Sequence, residues 1–218
     1  MDTFLVDEGL RGVISALFFT FTLKRTPKKI EYEKDYVFCP EDTLFTLRTC
    51  EKDVKRVENA LIKYGGLDIL RDMRLCLCYD NNSPYLAVFN YGKAVLTARR
   101  NLKNELAYPD VWEFFSRINK VNDEVLITSQ QLRFRESRSG TLFAEYCPNN
   151  DITRLLLPVF FKQYKNRSFI IHDLRRGNIG ISNGKQFYLE NSLANCRFNQ
   201  EQAQKHYKQL SEKYCFNK

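Results

Sequence analysis

The chain has 218 residues, 44% of them hydrophobic and 28% charged, with 17 Phe and 12 Tyr. That is the composition of one folded domain with an aromatic-rich core, and it excludes a disordered chain. A net charge of +8 favours phosphate-bearing partners through counterion release.

Phe4-Leu5-Val6 reads as a short strand. Asp7 is placed to cap a following helix, with Glu8 in its first turn. Leu10, Val13, Ile14, Leu17, Phe18 and Phe21 recur at helical spacing and predict an amphipathic helix that Pro27 ends. This apolar run is interrupted by Ser15 and Thr20 and is too short to cross a bilayer. Residues 28–42 read as irregular, or as one short strand around Tyr36-Val37-Phe38, and a weak strand follows over 44–48. Val54, Val57, Leu61 and Tyr64 share one face of a helix that Gly65-Gly66 closes. Helices are predicted over 67–79 and 84–103, and a long one opens at Pro109 with Val111, Phe114, Phe115, Ile118, Val121 and Val125 inward.

The period then changes. Leu132-Arg133-Phe134-Arg135 alternates apolar and basic, Ser137 to Gly140 is turn chemistry, and Thr141 to Tyr146 returns, so 132–146 predicts a β-hairpin. A helix over 151–164 contains Pro158. Strands are predicted over 168–174, 178–182 and 185–189, with turns at Gly177 and Asn183-Gly184. A last helix is predicted over 200–214. The expected fold class is α+β, one domain over 1–218, with residues 1–130 mainly helical and packed against a mainly antiparallel sheet in 131–195.

Cys39, Cys50, Cys76, Cys78, Cys147, Cys196 and Cys215 are odd in number and irregular in spacing. The Cys76/Cys78 pair has neither a second pair nor a histidine pair to complete a metal site, so no metal and no cofactor are expected. With no signal peptide before the first strand, a cytoplasmic location with reduced thiols is expected.

Four segments in order carry a resemblance: Arg133-Phe134-Arg135-Glu136, Gly140-Thr141-Leu142-Phe143-Ala144-Glu145, Pro148-Asn149-Asn150-Asp151-Ile152, and Ile170-Ile171-His172-Asp173-Leu174-Arg175-Arg176. With Asp7-Glu8-Gly9-Leu10 at the start of the first helix, they resemble a bacterial family of proteins assigned to DNA metabolism and DNA repair. The resemblance spans roughly 1–195 and is carried mainly by 130–176. It implies a role beside DNA, because family members are encoded next to a radical-SAM protein similar to spore photoproduct lyase. A similar domain is also fused to uracil-DNA glycosylase-like domains. Leu126 and Ile127 stand where the family has His and Arg after Glu124, and Asn149, Asn150 and Val159-Phe160 replace further polar positions. The family's Arg- and Trp-rich tail does not follow the last helix. A divergent, C-terminally shortened member is the expectation.

Arg133 and Arg135 fall two residues apart on one strand face and can bracket a phosphate. Cross-strand pairing with Glu136 and Glu145 is the competing reading. Arg175 and Arg176, beside Gly177, extend the same basic patch or stand as two exposed turn arginines. His172 and Asp173 are adjacent on a strand, so they point to opposite faces and cannot form a base and its orienter. His172 shares its face with Ile170 and Leu174, which favours a core histidine.

The expected function is that of a DNA-metabolism accessory protein. It binds nucleic acid, or a radical-SAM repair partner, through a basic face containing Arg133, Arg135, Arg175 and Arg176. One alternative is an enzyme acting on a DNA base or end, with Glu136, Glu145 or Asp173 as general acid or base and His172 as a further candidate. The other is a protein-interaction module that binds no nucleic acid.

Overall fold

The computed structural model describes residues 2–80, 83–137 and 140–191. It is α+β, with the helices mainly N-terminal and a mainly antiparallel sheet in the C-terminal part. The chain divides into two compact units, Met1–Val121 and Asn122–Lys218. The helix expected over 200–214 lies outside the described residues, as do Cys196 and Cys215.

The first unit is built on a three-stranded parallel sheet. Strand β1 (Asp2–Val6) lies between β2 (Lys29–Tyr32) and β3 (Thr43–Leu47). Phe4 stands opposite Ile30 on one side and Phe45 on the other. The strand expected around Tyr36-Val37-Phe38 does not form. The pairing strand is Lys29–Tyr32, a 3₁₀ turn occupies Glu33–Asp35, and Val37 and Phe38 are exposed. The reason is pairing: Ile30 and Tyr32 can bury a face against β1, and an isolated apolar triplet cannot.

Helix α1 (Leu10–Leu23) follows β1, and its predicted stripe is the core. Val13, Ile14 and Leu17 are fully buried with Phe4, Val6 and Ile30. Asp7 does not cap this helix. Gly9 is the N-cap residue and makes no side-chain cap bond, while Asp7 Oδ2 accepts the Thr49 N–H at 2.8 Å. The hydrogen bonds with Thr49, and then the Arg48 guanidinium, hold the Asp7 carboxyl below its usual range. Glu8 pairs with Lys34 at 2.6 Å.

Helices α2 (Glu51–Gly65), α3 (Ile69–Leu77) and α4 (Pro84–Ala98) complete the first core. Helix α4 ends five residues before the expected position, because Arg99 takes a left-handed conformation (φ 52°) with its N–H on the Val95 carbonyl. Helix α5 (Pro109–Gln131) opens at proline as expected. Its Phe114 ring stacks on Tyr91 at 4.0 Å and meets Phe115 edge-on.

The second unit holds a five-stranded sheet in the order β4 (Arg135–Glu136), β5 (Leu142–Tyr146), β6 (Ser168–Asp173), β7 (Asn178–Asn183) and β8 (Phe187–Asn191). The expected hairpin forms, with Arg135 opposite Phe143, but its first strand is only two residues long. Strands β5 and β6 are parallel, joined by helix α6 (Thr153–Gln163), which runs through Pro158. The other three pairings are antiparallel.

Helix α6 packs close on β7. A Cβ at Gly180 would lie 2.7 Å from Leu157 Cδ2 and 2.8 Å from Ile171 Cγ1, so only glycine fits without repacking. The Phe134 ring meets Phe160, Tyr164 and Phe169 edge-on, which anchors the segment leading into β4.

Candidate nucleic-acid interface

The segment from Gln131 to Arg135 alternates between exposed and half-buried residues as its sequence dictates. Phe134 is held by the three aromatic contacts above, so Arg133 and Arg135 are turned outward on either side of it. Neither arginine has a carboxylate partner among the described residues. The two glutamates available for cross-strand pairing are engaged elsewhere. Glu136 pairs with Arg167 at 2.8 Å, and Glu145 lies 4.0 Å from His172 Nδ1. For Arg135 the register explains this, since Phe143, not a carboxylate, stands opposite it, and the ladder ends there, before Arg133. Arg167 also donates to the Gly140 carbonyl at 3.5 Å, which brings a third guanidinium to the hairpin end.

The second unit is the more basic of the two: residues 122–218 carry 15 Lys or Arg against 9 Asp or Glu, six of the eight surplus charges. Arg154, Lys162, Lys165 and Arg175 are all exposed within it.

Arg175 and Arg176 part company. Arg175 is exposed. The Arg176 side chain is only 15% exposed and points inward to Asp173, which is fully buried. Arg176 Nη1 donates to Asp173 Oδ2 at 3.1 Å and to the Pro148 carbonyl at 3.3 Å, and Nη2 donates to the Asn149 carbonyl at 2.6 Å. Asp173 Oδ1 accepts the backbone N–H groups of Arg175 and Arg176 at 2.8 and 3.1 Å. One ion pair therefore ties the β6–β7 turn to the loop after β5.

Glu124, on the second unit's part of α5, grips that loop from its other side. It accepts the N–H groups of Asn149 and Asn150 at 2.6 and 2.9 Å and the Asn150 side-chain amide at 2.6 Å. Asn178 donates to Asp151 at 3.1 Å, and the Tyr146 hydroxyl shares a 2.7 Å hydrogen bond with Thr153. Burial, the largest cause, pushes the Tyr146 phenol well above its usual range.

The parallel register also decides the acid–base candidates. Glu145 stands beside His172, and Asp173 beside Tyr146. His172 and Asp173 do lie on opposite sheet faces. His172, 9% exposed, shares its face with buried Ile170, Ile179 and Ile181, as the core reading expects. Its acidic neighbour is Glu145, a pairing that a strand-by-strand reading misses because it exists only across β5 and β6. The Glu136 carboxylate is exposed and committed to Arg167.

Among the described residues, no group of three or more His, Cys, Asp or Glu is arranged to hold a metal ion. No described helix is long and apolar enough to cross a membrane. The five described cysteines are free thiols. Cys76 is buried, and desolvation pushes its thiol up to about 12, which removes the thiolate needed for nucleophilic or redox work. Brief treatment of the folded protein with iodoacetamide is expected to label exposed Cys50 and Cys147 and to leave Cys76 unmodified by peptide mass spectrometry. Labelling of Cys76 as fast as Cys50 would refute its burial.

No curated protein and no solved structure significantly matches the chain. A family model described as a domain of unknown function (DUF4130) matches residues 83–217, which run from the residue before α4 through the second unit. The chain belongs to that family.

Proposed function

We propose that this protein binds nucleic acid through the basic edge of its second unit, as an accessory in DNA metabolism. The observation that carries this reading is the pair Arg133 and Arg135. They are exposed, two residues apart beside and on an edge strand, and lack carboxylate partners among the described residues, although Glu136 and Glu145 are near in sequence. Unpaired guanidinium groups at that spacing suit a phosphodiester backbone, which positions a protein without reading bases. Arg175 is a further exposed arginine of this unit, Arg167 is held by Glu136, and Arg176 serves the fold. Arginine on a short edge strand also blocks edge-to-edge aggregation, so the reading needs a binding test.

Fluorescence anisotropy with short single- and double-stranded DNA across a salt series supplies it. Affinity is expected to fall as salt rises. In Arg133→Ala/Arg135→Ala, the slope of log K against log salt is expected to become shallower by about 2, one for each phosphate no longer neutralised. Binding that salt does not change, or that the double substitution leaves intact, defeats the proposal. By resemblance, a radical-SAM protein of the spore photoproduct lyase type is the partner for which this surface would position DNA. Co-purification of the two proteins, with and without DNA, tests that part separately.

A second reading rests on the closeness of Glu145 and His172. A half-exposed carboxylate 4.0 Å from a mostly buried imidazole would relay a proton only by closing to hydrogen-bond distance or through one water. It requires turnover of a damaged-base or strand-end substrate that His172→Gln abolishes while DNA affinity is retained.

A further inference from the structure

The first unit contains nine arginines. Six are neutralised by carboxylates: Arg11 by Glu51, Arg25 by Asp2, Arg48 by Glu33 and Asp7, Arg71 by Asp68 and Asp72, Arg100 by Glu105, and Arg117 by Glu113. Arg74 donates to the Leu70 carbonyl. Arg56 and Arg99 are the two that have no partner among the described residues, and both line one groove of about 460 Å³ formed by α1, α2 and α4.

The rest of that groove is largely apolar. Phe18, Val57, Ala60 and Leu96 line it, and Phe21 and Tyr64 add aromatic surface. Phe21 remains half exposed. The positions of the two arginines follow from the helices. Arg56 sits one residue before buried Val57 on α2, and the left-handed turn at the end of α4 places Arg99 in the groove wall. Solvation alone would account for either arginine singly. It does not explain why the two arginines of the unit without a partner among the described residues line the same apolar groove.

We propose that this groove binds an amphiphilic anion: a carboxylate or phosphate carried on an apolar chain or ring. The apolar body would cover Phe18, Phe21 and Leu96, and the anionic head would be held by Arg56 and Arg99. Guanidinium groups hold carboxylate and phosphate in the same bidentate way, and the volume lies in the range of about 300–1,000 Å³ common for small-ligand sites. The site uses first-unit residues alone, so it stands or falls apart from the nucleic-acid reading.

The test is isothermal titration calorimetry on the full chain with two anions of different body. These are dodecanoate, kept below its micelle concentration, and 1-naphthyl phosphate, with dodecan-1-ol and 1-naphthol as neutral counterparts. Saturable binding of at least one anion at one site per chain is expected, with its neutral counterpart at least about tenfold weaker. The stronger anion identifies whether the body is a chain or a ring. Arg56→Gln/Arg99→Gln should weaken that binding at least about tenfold with an unchanged thermal midpoint. Ala60→Leu, which fills the groove without touching its charges, should also weaken it. Arg133→Ala/Arg135→Ala should leave it unchanged. The proposal is overturned if neither anion saturates, if the neutral compound binds equally well, or if the two groove variants bind like the parent.

Discussion

Asp173→Ala is expected to destabilise the protein by about 3–5 kcal/mol, the usual cost of removing one partner from a buried ion pair. Asp173 is fully buried and accepts three hydrogen bonds, two from backbone N–H groups and one from the Arg176 guanidinium. Alanine takes the Asp173 carboxylate away from that guanidinium, whose side chain is 15% exposed, and leaves two turn amides without their acceptor. The Pro148 and Asn149 carbonyls still hold Arg176, but carbonyls do not neutralise a charge. Arg176→Met should cost less than Asp173→Ala, because the backbone amides keep their carboxylate. The double variant should cost less than the sum of the two single ones, since each single substitution already breaks the one ion pair that the two residues share. Urea unfolding followed by circular dichroism measures all three. A loss under about 1 kcal/mol for Asp173→Ala, the size of an exposed pair, would sink the idea that this ion pair holds the turn and loop together.

Gly12→Ala is the second large effect, and its sign is the instructive part. Inside a helix, glycine to alanine normally stabilises by about 1 kcal/mol. Gly12 lies in the first turn of α1, where a Cβ would overlap the Asp7 carbonyl oxygen and lie 2.8 Å from the Asp7 carbonyl carbon. These are backbone atoms at the end of β1, so no side chain can rotate away. Helix and strand would have to separate, which opens the core where Val13 and Leu17 meet Phe4 and Val6. The steric cost, on the order of 3 kcal/mol or more for an over-filled site with no room to relax, exceeds the propensity gain. A net loss of about 2 kcal/mol or more in urea unfolding is expected. A Gly12→Ala protein as stable as the parent would mean that the strand and helix are not in such close contact.

The two substitutions probe different kinds of information. The stripe from Leu10 to Phe21, the opening of α5 at Pro109 and the outward turn of Arg133 and Arg135 around Phe134 were all legible in the sequence. Each depends on neighbours within about one helical turn or one pleat, and such periodicities survive in any tertiary setting. The strands at β6, β7 and β8 were readable for the same reason, together with the turn chemistry of Asn183-Gly184. The Asn183 side chain indeed accepts the N–H groups of Lys185 and Gln186.

What the tertiary structure decided was partnership. Parallel pairing of β1 with β2 and β3 joins residues more than 20 positions apart and turned a segment read as irregular into a strand. Asp7 was free to cap a helix by sequence, but Thr49 arrives from β3's far end to claim its carboxylate. Arg175 and Arg176 are alike as neighbours, yet only Arg176 reaches the Pro148 and Asn149 carbonyls. Glu145 meets His172 solely because β5 and β6 run parallel in that register. Periodicity fixes which way a side chain faces. It cannot fix what stands opposite, because that depends on strand order and register. These in turn are set by burying the whole apolar surface at once.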